Sequence, residues 1–219
     1  MRTKEIFLSN NSIANDFIKS FEYPFEVLAN IKNYIIELGN TLGDDFNKIG
    51  EDIWIHKNAN ISKNAEIHGP CIIDDGAEIR HNAFIRGSAI IGKNSVFGNS
   101  CEIKNAIIYD NVQVPHFSYV GDSIIGFNSH MGASSIISNL KSDKKNIVIK
   151  NNGNYIETGI RKIGAFIGDN VEIGCGCIIN PGTIILSNSN VYPLTSVRGV
   201  IPSGVIVKDM NNIVKKEDK

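Results

Sequence analysis

Three observations predict that this chain is all-β and coils as a parallel β-helix of hexapeptide repeats. From Ile55 onward a large apolar residue returns every six positions: Ile55, Ile61, Ile67, Ile73, Ile79, Ile85, Ile91, Phe97 and Ile103. Four residues after each stands a small one (Ala59, Ala65, Cys71, Ala77, Ala83, Ala89, Ser95, Cys101), with Ile107 the exception after Ile103. The composition is skewed as well, with 27 Asn and 38 Ile among 219 residues and few Leu. A six-residue period fits neither an amphipathic helix nor a hairpin meander. It fits a coil in which each face is one short strand with one large residue pointing inward. The small residue fits the crowded corner. Asn and Gly tolerate the left-handed backbone that corners need, and β-branched Ile favours strands over helices.

The elements follow in order. Residues 1–50 lack the repeat. Pro24, Phe25, Leu28, Ile31, Ile35 and Leu38 have helical spacing with Pro near the start, and the segment ends near Leu42-Gly43. One or two helices are expected there, as a cap on the first coil, because a solenoid must cover the end of its core. Residues 51–210 form the β-helix. Its register returns at Val120, Ile125, Met131 and Ile137 after a five-residue step, then at Ile167, Ile173, Ile179, Ile185, Val191 and Val197. The polar, Lys/Asn-rich break at about 140–162 is expected as a loop ejected from the coil, and such loops often carry function. Residues 211–219 are expected as a tail, frayed from Lys215 onward.

The 22 Lys+Arg balance 23 Asp+Glu, a net charge of −1. Neither nucleic acid nor a membrane surface is therefore an expected partner. No apolar run reaches the roughly 18 residues of a spanning helix, and the N-terminal apolar run is too short for a signal peptide. Cys71, Cys101, Cys175 and Cys177 are too few for a disulfide scaffold. A cytoplasmic location is the default expectation. Cys175 and Cys177 are expected as buried corner thiols rather than metal ligands.

The chemistry concentrates in residues 98–145. His116 follows Pro115 where the six-residue register is expected to slip. Taken alone, it is as well explained as a corner histidine bonded to backbone. The order of motifs adds more. Gly98-Asn-Ser-Cys-Glu-Ile-Lys-Asn-Ala106, His116-Phe-Ser-Tyr-Val-Gly-Asp122 and Met131-Gly-Ala-Ser-Ser-Ile-Ile-Ser-Asn139 occur in sequence. Ile156-Glu-Thr-Gly-Ile-Arg-Lys-Ile-Gly-Ala-Phe-Ile-Gly-Asp169 follows. Over about 80–210 the chain resembles the acetyltransferase domain of bifunctional N-acetylglucosamine-1-phosphate uridyltransferase/glucosamine-1-phosphate N-acetyltransferases, and the last stretch resembles archaeal-type members.

That resemblance implies a left-handed β-helix, a homotrimer with its site between subunits, and acetyl-CoA as co-substrate. It matches His116 to the catalytic base that deprotonates the sugar amine. Glu102 and Asn139 match polar residues at the acetyl transfer. Arg86, Lys104 and Tyr119 match residues that hold the sugar phosphate, and Lys145 a lysine near the substrate. Gly132 and Ala133 match backbone along the acetyl-CoA arm, while Arg161, Lys162 and Arg198 are candidates for the coenzyme phosphates. The chemistry is coherent. An amino sugar is largely ammonium at pH 7, and an imidazole can take its proton. Backbone N–H groups or Asn139 can hold the oxyanion. No metal is needed.

The sequence departs from the pattern in three places. No nucleotidyltransferase domain precedes the repeats, so uridyl transfer is not expected. His130 and Leu140 replace Asn and Tyr beside the substrate region, which leaves the sugar open. Ser134 replaces a Gly in the acetyl-CoA segment. Two other readings compete. A γ-type carbonic anhydrase has the same fold, with three His on zinc, but its close His-x4-His pair is absent, since Gly121 stands five residues after His116. A β-helix trimer that binds a sugar nucleotide without turnover is the other.

Overall fold

The computed structural model describes residues 1–151 and 153–217. From residue 53 the chain winds as a left-handed β-helix with three parallel faces. Face one stacks Ile55, Ile73, Ile91, Ile108, Ile125, Ile167, Ile185 and Ile201. Face two stacks Ile61, Ile79 and Phe97 and continues through Val114, Met131, Ile173, Val191 and Val207. Face three stacks Ile67, Ile85, Ile103, Val120, Ile137, Ile179 and Val197. From the second turn onward these inward residues are almost all buried and form one continuous core. The small residues line the same interior: Cys71, Ala77, Ala83, Ala89, Ser95 and Cys101 are all buried.

The corners account for part of the Asn excess. Asn94, Asn111, Asn128, Asn170 and Asn188, at successive corners between faces one and two, all have positive φ. Asn tolerates that region better than other side chains. The register slip differs from the expectation. The step across His116, from Val114 to Val120, is six, and the five-residue steps are Ile103 to Ile108 and Val120 to Ile125. Both fall at the corner from face three to face one. In each, a single strand (Glu102–Ile108, Tyr119–Ile125) runs unbroken round that corner. One turn later the loop leaves from this corner. It carries an antiparallel hairpin, Val148–Asn151 with Asn154–Glu157, and its feet meet at a bridge between Leu140 and Lys162.

Within the N-terminal segment only the strand Phe46–Lys48 sits on the end of the first coil; the helices do not. Its helices are α1 (Thr3–Ile6), α2 (Asn15–Lys19), α3 (Pro24–Val27) and α4 (Ile31–Gly39). Pro24 opens α3, and the Tyr23 N–H bonds the Glu26 carboxylate at 2.9 Å. α4 packs against the strands Cys71–Ile73, Ala89–Ile91 and Glu102–Ile108. Further toward the C-terminus, Leu8 and Ser9 donate N–H groups to the buried Asp169 carboxylate at 2.9 and 2.7 Å. Phe7 stacks on Tyr109. The segment is thus a strap along face one, and sequence explains the face. There even the outward residues are apolar, and Ile72, Ile90, Ile107, Ile124, Phe166 and Ile184 are fully buried. The outward residues of the other faces include Glu78, Gln113, His130, Glu66 and Glu102, none buried. Both ends of the sheets carry an antiparallel strand. Phe46–Lys48 pairs with Ile53–His56, and Asn212–Lys215 pairs with Val205–Asp209. Residues 212–215 are therefore strand, so the tail expected from 211 begins after Lys215, itself expected frayed; Asp218 and Lys219 lie outside the described residues.

Candidate functional site

Face three and its two corners carry most of the residues singled out by sequence. At the corner where it begins, His81, Asn99, His116 and Ala133 follow one another in successive turns, joined by backbone bonds Ser100 to His81, Phe117 to Asn99 and Ser134 to His116. The His116 side chain is exposed, and among the described residues its ring makes no hydrogen bond. His81 and Asn99 touch through Nε2 and Nδ2. Gly132 and Ala133 lie directly after His116 in this stack. A Cβ on Gly132 would come within 2.5 Å of the Cys175 nitrogen, so the turns approach too closely for a side chain.

Glu102 and Tyr119 are outward neighbours in register on face three itself. The corner where it ends holds Arg86, Lys104, Asp122 and Asn139. Arg86 Nη1 bonds Glu102 Oε1 at 2.6 Å. Lys104 Nζ lies 3.7 Å from Asp122 Oδ2. Asn139 Nδ2 donates to Asp122 Oδ2 at 2.5 Å and to the Tyr119 hydroxyl at 3.2 Å. Asn105 Nδ2 donates to the other Asp122 oxygen at 2.8 Å. Burial pushes the Tyr119 phenol above its ordinary pKa, helped by the charges of Asp122 and Glu102 and opposed by Arg86 and Asn139. It therefore stays a neutral donor at pH 7. The Arg86 guanidinium is pushed up chiefly by its bond to Glu102.

Asp122 is the hub that sequence reading passed over. It was visible only as the last residue of the His116–Asp122 motif. It is buried, sits at φ +49° and ties Lys104 and Asn105 of the turn before to Asn139 of the turn after. The shortened corner forces that backbone on it, as it does on Asn105 at φ +48°. Both cations are already paired with carboxylates. An incoming phosphate dianion would compete with Glu102 and Asp122 for charge-assisted bonds.

The remaining residues lie elsewhere. His130, expected beside the substrate, is on face two, its Nδ1 3.1 Å from Glu172 Oε2. Strand alternation places it there, since it precedes the inward Met131 on that face. Lys145 is exposed in the loop, its N–H on Asp143. Arg161 and Lys162 are exposed near the loop's C-terminal foot, and Arg198 is at the last turn of the loop corner. These do not meet His116. A cleft of about 900 Å³ runs between the hairpin and that corner. Of the paired cysteines Cys177 is buried, but Cys175 is exposed at the His116 corner, in a tight turn between Gly174 and Gly176. Among the described residues no three His, Cys, Asp or Glu gather closely enough to hold a metal ion. No described helix is long and apolar enough to cross a membrane.

The coiled core and its repeat are those of the hexapeptide-repeat β-helices, and the relatives this chain resembles in sequence are named as acetyltransferases. Within that class it is a relative of the bifunctional sugar-1-phosphate nucleotidylyltransferase/acetyltransferases, over the acetyltransferase part. It is 37% identical over 177 residues to the protein of that name from Sulfurisphaera tokodaii, covering 69% of this chain and 44% of that one. It is 48% identical over 92 residues to the bifunctional protein GlmU of Methanococcus maripaludis, 42% of this chain and 22% of the relative. The chain spans less than half the length of these bifunctional relatives. The family described as GMPPB C-terminal domain matches residues 67–153. A Bacillus cereus crystal structure assigned as an acetyltransferase shares the fold, with a TM-score of 0.55 at 16% identity over 71% of this chain and 86% of that one.

Proposed function

We propose that the protein is an acetyl-CoA-dependent N-acetyltransferase of an amino sugar phosphate, with glucosamine 1-phosphate the first candidate. The observation that carries this reading is the Arg86–Glu102 and Lys104–Asp122–Asn139–Tyr119 network sharing one face with an unencumbered His116. In this reading Arg86 and Lys104 exchange their carboxylates for the phosphate, with the Tyr119 hydroxyl as a further donor. His116 takes a proton from the substrate ammonium. The freed amine attacks the thioester carbonyl, the C–S bond breaks, and the proton the nitrogen sheds as the amide forms goes to the departing sulfur, so that the coenzyme leaves as its thiol. Asn139 or backbone N–H groups near Gly132 and Ala133 hold the oxyanion.

The same face exposes Phe117, Ile136, Ile178 and Leu194, the last 85% accessible. This apolar strip beside His116 supports a second copy of the chain seating there, as in the trimer the resemblance implies. Leu194→Asp is expected to shift the species seen by light scattering toward monomer; an unchanged mass would remove this surface as the interface. The test of the reaction is thiol release from acetyl-CoA with glucosamine 1-phosphate. Wild type is expected to turn over, and His116→Ala to lose at least about a hundredfold. No release with this or related amino sugar phosphates would sink the reading.

A further inference from the structure

We infer that a second cleft, between the strap and the corner where faces one and two meet, binds an extended organic cation bearing several ammonium groups, a polyamine. The inference does not rest on the acetyl-transfer proposal. The cleft has a volume of about 560 Å³, within the range of small-molecule sites. Strap residues 10–13 form one wall, and successive turns of the coil form the other. Asp45, Asp74, Asp75 and Asp110 line it, and Lys93 is the one Lys or Arg among its lining residues.

Acidity alone would describe an ordinary wet surface, but Asp74 is not on the surface. It is 2% accessible, and its Oδ1 accepts the Asp75 N–H at 2.7 Å. Its Oδ2 has no hydrogen-bond partner among the described residues. A buried carboxylate oxygen without a donor destabilises the fold, and a cation seated in the cleft offsets that cost. The neighbours do not supply the donor. Gly92, one turn on from Asp74, has no side chain, and a Cβ there would come within 2.6 Å of Asp110 Oδ1. The Asp110 carboxylate thus lies over the same gap. His56 Nδ1 accepts the Asn58 N–H at 3.2 Å, so it has no proton to give Asp75 Oδ1, 3.3 Å away.

The spread of the carboxylates selects the ligand. Among the described residues no three acid, His or Cys groups converge closely enough for one metal ion. A single point charge therefore meets only part of the set. An alkyl chain with ammonium groups at intervals reaches the carboxylates in turn, each ammonium offering three donors for charge-assisted bonds. Ile13 and Phe46, both half-buried, line the same cleft and give the methylenes an apolar surface.

The experiment is calorimetric titration of the whole chain with spermidine, methylammonium and Mg²⁺ at neutral pH and fixed ionic strength. It is repeated on Asp74→Asn, Asp75→Asn and, on face two, Glu172→Gln. Spermidine is expected to bind more tightly than the other two. Asp74→Asn and Asp75→Asn are each expected to weaken it at least about tenfold, and Glu172→Gln to leave it unchanged. Thermal melts of each variant separate lost binding from lost fold. No spermidine binding at millimolar ligand, or binding indifferent to Asp74→Asn, overturns the inference. Equal weakening in all three variants overturns it in favour of general attraction to an acidic surface. Mg²⁺ binding as tightly as spermidine overturns it in favour of a metal ion. Failure of thiol release would leave this result untouched, so the two proposals fall separately.

Discussion

Two residues, Asp122 and Gly98, hold the candidate site in shape. Asp122→Ala would strand the amides of Asn105 and Asn139 and release Lys104. The expected loss is about 1–3 kcal/mol of stability, with a raised KM for the amino sugar phosphate. Steady-state kinetics and thermal melts check both; unchanged kinetics would show the network to be structural only. Gly98 acts through space. A Cβ there would lie 1.7 Å from the carbonyl oxygen of Pro115, the residue before His116. Gly98→Ala is expected to cost about 1–3 kcal/mol through backbone displacement. It is also expected to lower kcat, because the displaced backbone carries His116 with it. A variant with lowered Tm and unchanged kcat would confine the role of Gly98 to packing. The thiols give a simpler check. Burial pushes the Cys71 thiol up to about 12 and also raises Cys101 and Cys177. Native protein is expected to give one fast-reacting thiol, Cys175, and the other three only on unfolding.

Among the elements, the strap and the corners divide the labour. Face one is apolar inside and out, so it needs a cover. Each of its outward residues gains about 1.5–3 kcal/mol from burial. Removing residues 1–42 is expected to leave a chain that aggregates on expression, whereas a soluble monodisperse product would contradict the strap's role. The strap's place was not legible in the sequence, for a physical reason. The inward residues repeat every six positions and announce themselves, but the apolar outward positions Ile72, Ile90 and Ile107 look like ordinary strand residues until the three faces are separated. The helical spacing of α3 and α4 was legible; their target was not. The site shows the same division. Arg86, Glu102, Lys104, Tyr119 and Asn139 lie together because they fall on one face. His130 does not, because the side a residue faces is set by its position within its turn, whatever motif it stands in.

Across the molecule, acid groups where faces one and two meet tie stability to pH. Asp74 is buried, and its Oδ2 has no partner among the described residues. Its Oδ1 accepts the Asp75 N–H at 2.7 Å. Burial pushes the Asp74 carboxyl above its ordinary value, the Asp75 charge adds to this, and the Asp75 N–H, Lys93 and His56 oppose it. Asp110 is raised as well, burial first, with Asp74 contributing. A raised carboxyl binds its proton more tightly in the folded chain. Its favourable contribution is therefore present at low pH and lost as pH rises from the ordinary value of 3.8 through the raised one. Asp74→Asn keeps the Oδ1 acceptor and removes the charge. It is expected to raise Tm at pH 7 by roughly 2–4 °C, the equivalent of about 1 kcal/mol at this chain length, with the gain shrinking toward pH 4. A constant gain across that range would assign the effect to packing instead.

The strap also sets an order of events during synthesis. Leu8 and Ser9 bond Asp169, and the Ile6 carbonyl accepts from Ser187. The first residues made thus wait for partners some 160 to 181 positions later. At ribosomal speeds of about 5–20 residues per second, that wait is on the order of 10–40 s. During it, the later turns of face one, beyond the strands that α4 covers, are bare. The nascent chain is therefore most in need of a chaperone in the interval before its own N-terminus can fold back.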